Sequence, residues 1–229
     1  MTFKVLVVAG DGASMVKQMF ESQSWLLTND IDEADLVQFV GGADVDPGMY
    51  GQRRHPTTFS DVGRDAREEE IYNMALDRGI PMAGICRGGQ FLNVMNGGKM
   101  HQDVDGHNQG NHKAWLTGAV LPITVTSTHH QMMEPNWEEA EVLMTAQQST
   151  RKRRMSDQAS VTNVEYVIHV DNTNERATDI ESLYYAGTRC LCFQPHPEYG
   201  NANETKEVYF ILLERYLFSN EIVEQAQQA

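Results

Sequence analysis

Apolar runs and amphipathic stretches alternate along the first hundred residues. Residues 3–9 (FKVLVVA) are a continuous β-branched and aliphatic run ending at Gly10, the pattern of a strand covered on both faces in a parallel sheet. Met15, Val16, Met19 and Phe20 then recur at helical spacing over 14–21. Further strands are expected at 24–28 and at 35–40 (DLVQFV), the latter stopping at Gly41-Gly42. Asp65 and Glu68 stand at capping-box spacing, with Asp in place of Ser or Thr, and predict a helix over about 66–78 that Gly79 ends. Residues 80–85 (IPMAGI) read as the next buried strand. From Cys86 a helix runs through Asn96, with Phe91, Leu92, Val94 and Met95 apolar and Gly97-Gly98 as its stop. Strand, helix and strand in short succession imply right-handed crossovers and a sheet covered on both sides.

The second half changes character. Short strands at 119–126, 140–146, 164–170, 180–185 and 189–194 suggest an antiparallel or mixed extension, and 204–218 (ETKEVYFILLERYLF) predicts a terminal helix. No repeat, low-complexity segment or linker divides the chain. Its 229 residues are therefore expected to form one α/β domain over 1–229, with 218–229 a frayed tail.

Composition narrows the partners. The net charge of −14, from 32 acidic and 18 basic side chains, repels phosphate backbones over most of the surface and argues against nucleic acid. Arg151, Lys152, Arg153 and Arg154 are a local exception, read as a solvated loop, with a docking site for an acidic partner as the alternative. Of the three cysteines, Cys190 and Cys192 would sit side by side on one strand face, poor disulfide geometry that suits a reducing compartment. MTFKVLVVAGDG lacks the apolar core of a signal peptide, and no apolar segment reaches bilayer-spanning length, so a cytoplasmic protein with no membrane partner is expected.

The chemistry concentrates in two short segments. Gly84-Ile85-Cys86-Arg87-Gly88 has the form G-x-nucleophile-x-G between a buried strand and a helix. Such a turn is strained, glycines on either side leave room for it, and the side chain at its apex is exposed at the carboxyl end of the sheet. The adjoining helix N-terminus carries partial positive charge, and the Arg87 N–H points where an oxyanion would develop. The plainer alternative is a buried cysteine in a glycine-rich turn. Gln194-Pro195-His196-Pro197-Glu198 follows the apolar run 190–193. Each proline disfavours helical backbone in the residue before it, so His196 is held extended and Glu198 projects to the same side. Glu198 can then accept from one imidazole nitrogen while the other faces a cysteine. A merely exposed loop histidine is the alternative.

GGADVDPGMYG (41–51), RDARE (64–68), GICRGGQFLNVMNGGKMHQD (84–103), STHHQ (127–131), DIE (179–181) and FQPHPE (193–198) together resemble the class I glutamine amidotransferase-like superfamily, in particular its γ-glutamyl hydrolase branch. The resemblance implies a flavodoxin-like three-layer sandwich with a mainly parallel central sheet and a small antiparallel extension. It also implies a catalytic triad of Cys86, His196 and Glu198. Backbone N–H groups of Gly42 and Arg87 match the oxyanion hole, Gly41 and Gln90 match positions holding the substrate's glutamyl end, and His130 lies in the segment lining that pocket. Pro195 departs from the aromatic or apolar residue usual before the histidine, the portion before Gly41 is compact, and residues 147–178 have no clear counterpart. No cofactor is implied.

Two readings of the enzyme follow: a free-standing hydrolase acting on a small-molecule γ-glutamyl amide, or a glutaminase subunit supplying ammonia to a separate synthetase or ligase. A catalytically silent interaction protein of the same fold is a third. His101, Asp103, Asp105, His107 and His112 (HQDVDGHNQGNH) could gather a divalent ion, but Gln102-Asp103 matches a structural motif, so no metal ligand is assigned. Gly10-Asp11-Gly12 fails as a dinucleotide motif because position 15 is Met.

Overall fold

The computed structural model describes residues 2–104, 106–108, 110–146, 151–155, 164–168, 179–200 and 202–219. The first part runs β1 (Lys4–Val7), α1 (Ala13–Ser22), β2 (Leu26–Leu27), β3 (Leu36–Phe39), α2 (Val62–Asp77), β4 (Met82–Ile85) and α3 (Arg87–Met95). Strands follow: β5 (Lys99–His101), β6 (Asp103–Val104), β7 (Gly110–Leu116), β8 (Ile123–Ser127), β9 (Met132–Glu134), β10 (Ala140–Ala146), β11 (Arg151–Met155), β12 (Val164–Ile168), β13 (Asp179–Tyr185) and β14 (Cys190–Phe193). Helix α4 (Asn203–Leu213) ends the order and continues into a π-helical turn at Glu214–Phe218.

Among the described residues, nine strands form one sheet in the order β2-β1-β3-β4-β14-β13-β10-β7-β8. The pairs from β2 to β14 are parallel, and those from β14 to β8 are antiparallel. This is the expected mixed α/β architecture. The antiparallel extension is four strands wide, and β12, β11 and β6 form a separate small sheet beside it.

The central strands bury residues on both faces. Val5, Val7, Leu36 and Val40 pack with Val16 and Phe20 of α1 and with Tyr209 and Leu213 of α4. On the other face Val37, Phe39, Met82, Cys190 and Cys192 pack with Tyr72 of α2 and Phe91 of α3. Both cysteines are free and fully buried, as the same-face reading requires. Helix α1 has no side-chain cap, because its N-cap is left-handed Gly12. A missing cap costs about 1 kcal/mol, whereas each buried Val or Phe contributes about 1.5–3 kcal/mol, so the apolar face holds the helix.

Two expectations are corrected. Asp65 and Glu68 do not form a capping box: α2 begins a turn earlier, capped by Asp61, whose side chain accepts from Arg64 N at 3.0 Å. Both carboxylates are freed for another task, described below. Residues 151–154 are not a loop, since β11 pairs with β12 and with β6. Strand β7 (GNHKAWL) went unrecognised because its polar composition hides any alternation. The expected tail beyond 219 lies outside the described residues.

Candidate active site

The turn from β4 to α3 is built by close backbone packing. Cys86 has φ 51° and ψ −114°, a strained conformation for a residue with a side chain. A Cβ on Gly84 would lie 2.3 Å from the carbonyl group of Gly88, and one on Gly88 would lie 2.6 Å from that of Phe39. The glycines are therefore required because the first turn of α3 rests directly on β4 and β3. Cys86 N donates to Phe193 O at 2.7 Å, tying the turn to the end of β14. Cys86 has no side-chain role as N-cap, so its sulfur stays available, and it is half-buried.

Strands β4 and β14 are parallel neighbours, with Phe193 opposite Ile85. The residues leaving both carboxyl ends are thus brought together. His196 Nδ1 lies 2.6 Å from Glu198 Oε1, so a carboxylate there accepts Nδ1–H and leaves Nε2 as the nitrogen available to the Cys86 sulfur. His196 N donates to Thr126 Oγ1 at 2.6 Å, and the imidazole stacks on Tyr199 with centroids 4.5 Å apart and planes within 5°. Burial lowers the imidazole's proton affinity, but the Cys86 sulfur and the Glu198 carboxylate outweigh it and hold His196 up to about 11. The structure thus unites Cys86, His196 and Glu198. Tyr199 and Thr126 were missed, although Tyr199 stands directly after the motif.

Gly41 and Gly42 cross the mouth of this site. A Cβ on Gly41 would approach His196 Cε1 to 3.2 Å and Cys86 Cβ to 3.9 Å. Gly42 has φ 133°, and a Cβ there would meet Arg64 Nη1 at 2.2 Å. Only glycine fits both the angle and the space. Arg64 Nη2 donates to Val40 O at 2.9 Å and its Nε to Glu68 Oε1 at 2.7 Å. Glu68 and Asp65 both also accept from Arg87, whose side chain is almost wholly buried. The two arginines and two carboxylates form one buried ladder linking the glycine loop, α2 and the first residue of α3. Burial, and then the Arg64 guanidinium, pull Arg87 down to about 10, with Asp65 opposing. The sequence reading gave Arg87 a backbone role only.

Gln90 lies behind the sulfur rather than in the open cleft. Its Nε2 donates to Gln131 O at 3.2 Å and to Gln194 Oε1 at 3.1 Å, and Gln194 Nε2 contacts Cys86 Sγ at 3.6 Å. Gln194, read only as part of an extended segment, is therefore the side chain that touches the sulfur. His130 is at the rim, 40% exposed, with Nε2 3.2 Å from Asp44 Oδ1. The hydrogen bond to Asp44 raises its proton affinity against burial. This pair closes the 41–51 loop against the 127–131 segment.

The residues weighed as metal ligands separate. His101 Nε2 pairs with Glu134 Oε2 at 2.7 Å, and Asp105 lies outside the described residues. His107 and His112 instead converge on Glu181 of β13, beside His129.

A family model described as Peptidase C26 matches residues 5–198. The chain belongs to the Peptidase C26 family. A putative glutamine amidotransferase of Mycobacterium tuberculosis is 44% identical over 88 residues, 35% of this chain and 29% of that protein. The γ-glutamyl-γ-aminobutyrate hydrolase of Escherichia coli is 42% identical over 80 residues, 34% of this chain and 31% of that one. The chain thus spans about a third of the length of these curated relatives it matches. A glutamine amidotransferase structure from Thermotoga maritima aligns with all of this chain and 91% of its own, at a TM-score of 0.58 and 17% identity. The fold of this C26 member is accordingly that of class I glutamine amidotransferases. No helix among the described residues is long and apolar enough to cross a membrane.

Proposed function

We propose that this C26 protein hydrolyses a γ-glutamyl amide through a γ-glutamyl thioester on Cys86, acting as a free-standing enzyme. The observation that carries the reading is the meeting of the strained Cys86 turn with the His196–Glu198 pair across adjacent strands. His196 Nε2 takes the Cys86 proton, the thiolate attacks the γ-carbonyl carbon, and the oxygen takes the negative charge. Backbone N–H groups of Gly42 and Arg87 are assigned to it, with a contribution of roughly 3–4 kcal/mol per donor in comparable sites. The carbon–nitrogen bond breaks as His196 Nε2 gives its proton to the leaving nitrogen, releasing ammonia or an amine. Water then adds to the thioester, His196 takes its proton, and glutamate leaves as the sulfur is restored. Glu198 holds the imidazole tautomer throughout and stabilises its protonated form. The small-molecule substrate contacts Gly41 and the rim at His130, with Gln90 acting through Gln194. No metal enters these steps.

The likeness to the mycobacterial protein named as a putative glutamine amidotransferase favours a second reading, a glutaminase subunit delivering ammonia to a separate synthetase or ligase. Purified protein is assayed with glutamine and with a series of γ-glutamyl amines, following ammonia and amine release. Robust cleavage of the amines without a partner supports the hydrolase. Slow release from glutamine alone, with the amines untouched, overturns it in favour of the subunit.

A further inference from the structure

Behind the catalytic histidine, between His112 of β7 and Glu181 of β13, the described residues bring together three histidines and two carboxylates with almost no access to solvent. Side-chain exposure is 0% at His107, Asp179 and Glu181, 2% at His129 and 5% at His112. Glu181 Oε1 lies 2.9 Å from His112 Nε2 and 3.4 Å from His107 Nδ1, and Oε2 lies 4.0 Å from His129 Nε2. Yet neither Glu181 oxygen, neither His112 nitrogen and not His129 Nε2 makes a hydrogen bond among the described residues. Uncompensated burial of an ionised carboxylate is costly enough to require a positive partner.

The outward hydrogen bonds say which partner. His129 Nδ1 lies 2.8 Å from Gln131 O, and a carbonyl can only accept, so that nitrogen carries the proton. The inward Nε2 of the neutral ring therefore presents a lone pair towards Glu181. His107 Nε2 likewise faces the Asp179 carboxylate at 3.1 Å, which leaves Nδ1 on the Glu181 side. Orientation of a ligating imidazole by a carboxylate or carbonyl on its far nitrogen is the usual outer shell of a bound metal ion. A single extra proton on His107 would satisfy one contact only. It would leave His112 and His129 turned, unbonded, towards the same carboxylate.

We infer that His107, His112 and Glu181, with His129 as fourth ligand, bind a zinc-class divalent cation that clamps the antiparallel extension behind the active site. The edge of a tetrahedron with metal–ligand bonds near 2.0–2.1 Å is about 3.3 Å, which the 2.9 and 3.4 Å separations bracket. Two or three imidazoles and a carboxylate suit zinc and its borderline neighbours rather than magnesium or calcium. The ion's role is positioning. Glu181 O accepts from Gln194 N at 2.8 Å, and Ser127 Oγ donates to His107 O at 2.7 Å next to Thr126, which holds His196. The cation thereby fixes the strands that carry Gln194 and Thr126 without reaching the substrate.

The test uses untagged, full-length protein analysed for metals by mass spectrometry, then stripped by a chelator and titrated with cobalt(II) alone. About one zinc-class ion per chain is expected, with tetrahedral ligand-field bands on cobalt addition and a melting temperature roughly 5–15 °C lower when stripped. His112→Ala and Glu181→Gln should lose the stoichiometric metal, Asp179→Asn should weaken binding by about 10–100-fold, and Cys86→Ala should keep the ion. If the ligand variants fail to fold, stripping and reloading the wild type gives the same answer. Metal content below a tenth of an equivalent with no cobalt spectrum overturns the proposal, and so does undiminished metal in a folded His112→Ala protein. None of these readouts requires amide hydrolysis, so the site and the proposed activity stand or fall separately.

Discussion

The two halves of the central sheet solve the problem of presenting reactive groups in opposite ways. On the parallel side, β1 and β4 are apolar inside and β3 buries one polar side chain, Gln38, and Cys86 is aimed by backbone: a positive φ and glycines that let α3 rest on β4 and β3. On the antiparallel side, β13 buries Asp179, Glu181 and Ser182, β8 buries Thr126, and the segments flanking β7 and β8 bury His107 and His129, so position is set by polar contacts between side chains. Backbone packing chiefly constrains the residues of the turn, with the buried ladder of Arg64, Asp65, Glu68 and Arg87 as its polar support. A buried polar network tolerates loss of none of its members, because each leaves an uncompensated partner. The first region fixes where the Cys86 sulfur is; the second fixes where His196 and Gln194 are.

Five substitutions or conditions would break or sharpen that contrast. Replacing Cys86 by Ala should lower kcat for γ-glutamyl amide cleavage by roughly 10⁶, about 8 kcal/mol, with an unchanged circular dichroism spectrum. Near-normal turnover would refute the mechanism. Glu198→Gln keeps the shape but loses the charge that supports the imidazolium, and should cost about 10⁴ in kcat, less than loss of the nucleophile. Equal losses in steady-state assays would mean Glu198 does more than orient His196. Third in size is Glu68→Gln, which leaves two buried guanidinium groups short of a counter-charge; urea unfolding should show a loss of about 3–5 kcal/mol. A loss under 1 kcal/mol would mean that the ladder is not needed to hold the glycine loop.

The fourth concerns pH. His196 is held up to about 11 in the folded protein, above its unfolded value of about 6.5, so the folded state keeps a proton that the unfolded chain gives up. The stability this contributes is fully present below pH 6.5 and is lost as pH rises through 11. Unfolding curves at pH 6, 8 and 10 should therefore show a declining contribution that Glu198→Gln reduces. An identical decline in wild type and variant would remove Glu198 as a cause. The smallest effect is expected from Thr126→Val, which leaves the His196 N–H without its acceptor and should cost about 1 kcal/mol of stability. A much larger loss would show that β8 is coupled to the rest of the antiparallel region more tightly than this one bond implies.

Legibility in the sequence followed the same division. The order from β1 to α3 was readable because apolar periodicity is a local signal, and so was the Cys86 turn, whose glycine spacing lies within five residues. His196 and Glu198 were readable for the same reason: the prolines that hold them extended are adjacent to them. Arg87 was misjudged because its partners, Asp65 and Glu68, come from another helix, and their i, i+3 spacing imitates a capping box. The meeting of His107, His112, His129 and Glu181 was invisible because the residues come from two strands and two connecting segments and converge only through the fold. Polar β7 hid its own strand in the same way. Physical pairing over long sequence distances leaves no periodicity to read.

The central position of β14 has a consequence for the timing of activity. About 100 residues separate Ile85 from Phe193, the pair that closes the sheet between β4 and β13. At 5–20 residues per second, a ribosome that has finished the cysteine turn needs roughly 5–20 s more to deliver β14 and the His196 that follows it. Throughout that interval the emerging polypeptide carries Cys86 without His196 beside it and a gap in the middle of its sheet. On the proposed reading, cleavage of γ-glutamyl amides therefore has to wait for β14 to pair with β4.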